Sequence, residues 1–537
     1  MSIARPPEPS RPARRSVAGR SHSHPGSPGR ERPPVPASRL WRYLLVLVAL
    51  IGLPTAPLRA QEPKGDLSPQ QRQEIERFCA DCHAMPGPQA FPKAAWMDEV
   101  RRGFKFYANS GRSDLAVPRV LDVARFFRDA APDKIPLPDG AVTPFPSQPR
   151  FQRQVFPPLE PGAQPSISFL KRLDLTPGTP PWLVACDMKS GTVLKWNGLQ
   201  AEVPWATVGQ LGHPSHAEVC DLDADGALDL VVADLGTFTP SDKLAGRVVW
   251  MRRTGPLTFE TRELQTGIGR VADVEPGDFD GDGDLDLIVA EFGWQKAGRI
   301  LLLRNSGSRS EPRFELEEVD PRHGTIHVPP TDWNGDGHLD FVALISQEHE
   351  VVETFLNDGT GKFRSERVFS ADEPSWGSSG IQLVDLDRDG DLDVLCTNGD
   401  TFDSFHLKPF HSVFWLENEG KFPFRKRHLT NLPGVHRAIA ADLDNDGDLD
   451  VAACALLPGR LTRRQQGLSF DAVIWLEQTA PGEFTRQALK HGGADHAALE
   501  AVDLDDDGLL DLVVGSFAEQ PGNGPVEIFW NRPPAKR

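Results

Sequence analysis

The densest chemistry in this chain is an acidic nonapeptide that occurs six times. The copies are DLDADGALD from Asp221, DFDGDGDLD from Asp278, DWNGDGHLD from Asp332, DLDRDGDLD from Asp385, DLDNDGDLD from Asp442 and DLDDDGLLD from Asp503. The shared pattern is D-x-[DN]-x-D-G-x-L-D. Oxygens at positions 1, 3 and 5 converge when the loop curls, and glycine at position 6 permits the turn. A backbone carbonyl near position 7 and the Asp at position 9 complete an oxygen cage. Such a cage suits calcium, which takes roughly six to eight oxygen ligands. The expected ligands are Asp221, Asp223, Asp225 and Asp229; Asp278, Asp280, Asp282 and Asp286; Asp332, Asn334, Asp336 and Asp340; Asp385, Asp387, Asp389 and Asp393; Asp442, Asp444, Asp446 and Asp450; and Asp503, Asp505, Asp507 and Asp511. A metal-free turn has no use for four mutually repelling carboxylates. The reading is about six calcium ions acting as staples that add to folding energy. The Leu at position 8 is expected to plug each loop into the fold.

A second motif lies upstream. Residues 78–83 read FCADCH, the C-x-x-C-H pattern of covalent haem c attachment. Cys79 and Cys82 would form the thioether bonds and His83 would be the proximal iron ligand. The competing readings are a disulfide and a redox dithiol. For the sixth iron position Met97 is the better placed of two methionines, because Met85 lies only two residues past His83. This differs from common class I cytochromes, whose ligating Met comes much later, and leaves a pentacoordinate iron open.

A third signal is histidine. Ten of the 15 His (His213, His216, His323, His327, His349, His406, His411, His436, His491 and His496) fall in stretches expected to share one face. His216, His327, His436 and His496 recur shortly before an acidic loop, and Arg270 stands at a matching place. They are read either as a repeat signature that hydrogen-bonds a neighbouring unit, or as a ligand or metal site at a channel mouth.

These residues need elements to hold them. The acidic loops start 57, 54, 53, 57 and 61 residues apart, a period that marks a propeller or solenoid. A short apolar strand leads into each loop and a second leaves it, as in LDLVVAD. A third strand such as GRVVWMRR and a more polar fourth such as LTFETREL follow. Four strands per repeat make a propeller blade. PWLVACDM and GTVLKWNG supply a further blade ahead of the first acidic loop, and its own loop, DLTPGTPPW from Asp174, lacks the acids. The last repeat stops at its third strand. RFQRQVF (Arg150–Phe156) has the fourth-strand pattern and is expected to complete it, closing a ring of seven and hiding the open edges. Upstream, SPQQRQEIERF with a Ser68 cap and Pro69, AAWMDEVRRGF and PRVLDVARFFRDA read as helices.

The repeats resemble the FG-GAP/VCBS repeats of integrin-type propellers, over residues 150–537. That resemblance implies the fold and the calcium sites but no single activity. The expected chain is mainly all-β: a seven-bladed β-propeller preceded by a small α-helical, cytochrome c-like domain. Its parts are a targeting segment (1–60), the helical haem c domain (66–135), a Pro-rich linker (136–149) and the propeller (150–537).

The net charge over 537 residues is −18. The first 60 residues hold ten Arg and two acids, so the remainder is more acidic still. That excludes nucleic acid as a partner. The basic, Arg-rich start, the apolar run Tyr43–Leu53 and Ala60 read as an export signal, with an uncleaved anchor as the alternative. The chain is expected outside the cytoplasm, periplasmic or extracellular, and as a monomer. Cys186, Cys220, Cys396 and Cys454 read as buried core residues. The leading function is an exported calcium-binding propeller with covalent haem c, coupling electron transfer to a bound ligand and a redox partner. The alternative is an adhesion propeller that binds carbohydrate or protein without redox activity. A His/Tyr lyase is disfavoured, because only Tyr107 follows the signal and it lies outside the repeats.

Overall fold

The structure is a computed structural model that describes residues 66–136, 142–147, 149–175, 181–198, 204–464, 470–518 and 522–532. The expected signal lies outside the described residues. No described helix is long and apolar enough to cross a membrane.

Seven antiparallel sheets make seven blades. In six of them the strand order follows the chain, and in all seven the second strand is buried along its whole length. This explains why those strands read as unbroken apolar runs: both faces pack against neighbouring blades, and each fully buried Val, Leu or Ile contributes roughly 1.5–3 kcal/mol. The fourth strands, such as Thr258–Ile268 and Phe314–Asp320, are largely exposed and correspondingly charged.

The ring closes as the sequence predicts. Phe151–Val155 pairs antiparallel with Val526–Asn531, so the seventh blade takes its outer strand from ahead of the first. The Arg153 guanidinium meets the buried Glu527 carboxylate at 2.7 Å. Across the junction, Ile167, Leu183 and Trp196 of blade 1 share one core with Val513, Ile528 and Trp530 of blade 7. The four propeller cysteines are buried and unpaired.

Helices Pro69–Cys79, Trp96–Asn109 and Val120–Ala130 precede the propeller. Ser68 and Gln71 form a reciprocal cap at the first. Trp96 stacks on Phe127 at 4.1 Å inside their shared core. These helices pack on loops of blade 5. Lys408 donates to the Ala90 carbonyl at 3.0 Å and lies over the Phe91 ring. Gly87 N–H donates to Glu373 at 2.7 Å, Arg102 to the Asp403 carbonyl at 2.7 Å, and Phe410 enters the helical core.

Candidate functional site: acidic loops, a channel cluster and a cysteine turn

The acidic loops all join the first and second strands of their blades, so they share one face of the ring. In every copy the position-6 amide donates to the position-1 carboxylate, as Gly226 does to Asp221 and Gly390 to Asp385, both at 3.0 Å. The position-7 amide donates to the position-5 carboxylate, as Ala227 does to Asp225. These bonds curl the loop and gather the acids. Position 6 has a positive φ throughout, which glycine tolerates. Position 4 also has a positive φ in all six, although it is glycine only at Gly281 and Gly335; Ala224, Arg388, Asn445 and Asp506 carry it with a side chain.

Two roles differ from expectation. In four loops the plug is the residue at position 2: Leu222, Phe279, Leu386 and Leu443 are 1–2% exposed, while Trp333 and Leu504 at that position, like position-8 leucines such as Leu285 and Leu449, are partly buried. The position-9 Asp is itself a staple. Asp450 accepts Gln478 N–H at 2.8 Å and Leu443 N–H at 3.1 Å. Asp286, Asp340, Asp393 and Asp511 repeat this pattern. Asp229 does so through Arg253 N–H and the Trp250 indole. Burial, opposed by these bonds, pushes Asp450 up to about 7 and Asp393 up to about 6.

The donor set fits calcium. Oδ1 of Asp223, Asp385 and Asp442 is buried without a hydrogen-bond partner, an arrangement that is costly unless a cation takes up the charge. Asp221, Asp223 and Asp225 offer oxygens within 4.8 Å of one another, as do Asp278, Asp280 and Asp282, and Asp385, Asp387 and Asp393. The loops differ in their countercharge. Arg252 meets Asp223 and Asp225 at 2.5 and 2.6 Å, Arg304 meets Asp280, and Arg532 meets Asp505 and Asp507. Among the described residues no ion pair reaches Asp385, Asp387, Asp389, Asp442, Asp444 or Asp446.

The opposite face, the rim, is built from the loops that enter each blade and those that join its second and third strands. The first strand lines the channel and carries a register shift near its start in all seven blades. Five residues ahead of each acidic loop the first strands present different side chains. His216 and His327 sit just past the shift, but the equivalent residue is Asp273 in blade 3 and Arg437 in blade 6. His216 Nε2 lies 2.9 Å from Glu218, 3.1 Å from Asp273 and 3.7 Å from Glu275, and His327 Nδ1 lies 3.6 Å from Asp273. Lys171 of blade 1 reaches Glu218 at 2.5 Å. Burial would raise Asp273, yet the two histidines hold it well below the carboxylate range. Burial, reinforced by Glu218 and Asp273, pushes Glu275 well above it. His436 stands near His327 and is pushed down to about 4, mainly by burial.

The other two members turn elsewhere. Arg270 donates to the Thr237 carbonyl at 3.3 Å and covers the Phe292 ring. His496 is fully buried between Gly515 O at 3.2 Å and Lys490 Nζ at 2.6 Å. The five residues read as one rim set therefore do not form one site. The carboxylates Glu218, Asp273 and Glu275, which sequence reasoning missed, complete the cluster. Their signal was the acids within HAEVCD and VADVEPG.

In the cysteine turn, Cys79 ends the first helix and Cys82 is exposed. Burial pushes the Cys79 thiol up to about 11 and also raises Cys82, the opposite of a reactive dithiol. His83 Nδ1 lies 2.7 Å from the Ala84 carbonyl; with the proton on Nδ1, Nε2 is left as a ligand. Cys79, Met85 and Met97 border the same apolar core. Two thiols, an imidazole nitrogen and adjoining thioethers fit a haem c.

Fold and loops together define a seven-bladed β-propeller with an acidic loop in six of its blades. Residues 221–289 and 332–396 match the FG-GAP-like repeat model. Cartilage acidic protein 1 of Mus musculus is 30% identical over 376 residues, covering 63% of this chain and 55% of that protein. Cartilage acidic protein 1 of Homo sapiens is 29% identical over 380 residues, covering 63% of this chain and 54% of that protein. The chain thus spans about half the length of these curated relatives. A solved chain described as BBS1N in complex with ARL6DN overlays with a TM-score of 0.42 at 10% identity, covering 72% of this chain and 98% of its own; that likeness carries no argument.

Proposed function

We propose that this chain is an exported, monomeric binding propeller. Calcium ions in the acidic loops stiffen it, its rim face receives a protein or carbohydrate ligand, and the helical module carries a haem c on Cys79, Cys82 and His83. The observation that carries the reading is the packing of the helical module on the rim loops of blade 5 through Phe91, Lys408 and Phe410. A redox group there would stand beside whatever the rim binds. Haem would supply one-electron chemistry. The chain's own part is to hold the module against the rim and to present His83 Nε2. The test is an absorbance spectrum and a haem stain of denatured protein made with haem-maturation machinery. Cys79→Ala should abolish the stain, and an unstained wild-type chain would rule out the haem.

A second reading keeps the binding propeller and omits electron transfer. What favours it is the acidic, FG-GAP-like repeat region itself and its likeness to proteins named as acidic proteins of cartilage. It predicts calcium-dependent ligand capture that survives Cys79→Ala.

A further inference from the structure

Neither reading uses a second cluster on the rim. His323 lies in the connection from strand Phe314–Asp320 of blade 3 to strand Thr325–His327 of blade 4. Glu348 and His349 lie in the turn between strands Asp340–Ile345 and Val351–Asn357 of blade 4. We propose that His323, Glu348 and His349 bind a divalent first-row transition metal ion.

Three observations carry this. His323 Nε2 lies 3.2 Å from Glu348 Oε2, the two imidazoles are 5.4 Å apart, and one donor atom from each residue lies within 4.8 Å of the others. Ligands held about 2.0–2.1 Å from a metal ion stand roughly 3 Å apart, so side-chain rotation alone closes the set. Next, His349 Nε2 is buried and has no hydrogen-bond partner. A plain ion pair accounts for His323 and Glu348 but leaves that nitrogen stranded, whereas a metal ion at the centre satisfies all three.

The third observation is that the backbone is committed to this arrangement. Gln347 and Glu350 flank the pair with φ of 56° and 47°, and two adjacent side chains, Glu348 and His349, thereby face one point. The Glu350 carboxylate anchors the turn on Gly377 and Ser378 N–H at 3.1 and 3.0 Å. Gly298 approaches so closely that a Cβ there would stand 2.5 Å from that of His323. Neither contact depends on the Glu348–His323 pair.

The donor types choose the ion. Two imidazoles and one carboxylate suit zinc, iron(II), cobalt or manganese, whereas calcium takes oxygen ligands. This separates the site from the acidic loops on the opposite face. Three protein ligands also leave a coordination position for water or a small ligand, the form of an open metal site rather than a closed structural one.

The experiment uses the full chain in excess calcium, so that the acidic loops are filled. After removal of transition metals, cobalt(II) is added and the visible d–d bands and bound metal are measured. Wild type should take up one more equivalent than His349→Ala or Glu348→Gln, both checked for folding by circular dichroism. Cys82→Ser and His216→Ala should retain that equivalent. Should His349→Ala not fold, Glu348→Gln and His323→Asn read the same quantity. The proposal is overturned if wild type binds no cobalt, if the folded site variants bind as much as wild type, or if the equivalent disappears in Cys82→Ser or His216→Ala.

Discussion

The two faces of this ring are made by opposite strategies. On one, a single nine-residue device is repeated in six blades with the same internal hydrogen bonds. On the other, the corresponding loops differ from blade to blade. They hold a helical module at blade 5 and a His–Glu–His cluster at blades 3 and 4, and the first strands beneath them carry the channel cluster. The acidic loop is self-contained, since its donors all lie within one turn, so each copy works wherever the strands place it. A rim site needs residues from two or three blades, so only one set of neighbours can build it. Repetition marks the scaffold and divergence marks the candidate sites.

The largest expected effect tests the repeated face. Chelation should lower the melting temperature strongly. A ligand at about 100 times its Kd stabilises by about 2.7 kcal/mol per site, and six loops are candidate sites. Calorimetry with metal analysis measures this, and an unchanged transition would break the assignment.

Next comes a division within each loop. Asp450→Ala removes the acceptor of two backbone amides. It should cost roughly 2–5 kcal/mol with or without calcium. Asp442→Asn removes charge from the position-1 ligand, whose Oδ1 is stranded, and should cost stability only when calcium is present. Urea unfolding of both variants with and without chelator decides the matter. Equal, calcium-dependent losses would mean that position 9 is chiefly a metal ligand.

The repeat, the blade and the closure were legible because period and strand pattern are local properties of the chain. The acid ligands were legible for the same reason, as were the Ser68 cap and FCADCH. The rim was not. A set chosen by residue type spans five to eight residues ahead of the acidic loops, from His216 to Arg270, whereas the strand register keeps a constant five, which puts Asp273 and Arg437 at the places of His216 and His327. Beyond Glu218 and Glu348, the partners of His216 and His349 come from other strands or loops, Asp273 and Glu275 for the first and His323 for the second, and sequence spacing carries no such information. Position 8 stands out in the sequence because it is Leu in all six loops, but direction decides the plug: in four loops position 2 turns fully inward, position 8 only half so.

A smaller effect probes how the rim holds the helical module. Burial pushes the Lys408 amine down to about 7, although Glu373 and Glu99 pull the other way. In the unfolded chain a lysine titrates near about 10.4. The folded state therefore binds fewer protons between these values, and stability rises with pH from about 7 to about 10. Below about 7 the lysine is charged in both states and its contribution levels off. Lys408→Met should flatten that rise, read as the melting temperature of variant and wild type across pH 7–10. A parallel rise in both would show that Lys408 is charged under the module.

The smallest effect returns to the two faces through their strained backbones. Ala224 sits at position 4 of its loop with φ 52°, in a conformation that disfavours side chains by roughly 1–2 kcal/mol. Its methyl group supplies no polar contact to offset this. Ala224→Gly should raise stability by up to about 1 kcal/mol, part of the relief being lost to the freer unfolded chain. Glu350 on the rim has φ 47° and the same intrinsic strain, but its carboxylate accepts two amides from blade 5. Glu350→Gly should therefore lower stability. Thermal denaturation of the two variants measures the contrast. Opposite signs mean that strain in the repeated loop is incidental to its turn, whereas strain on the rim is retained by the contacts it makes possible.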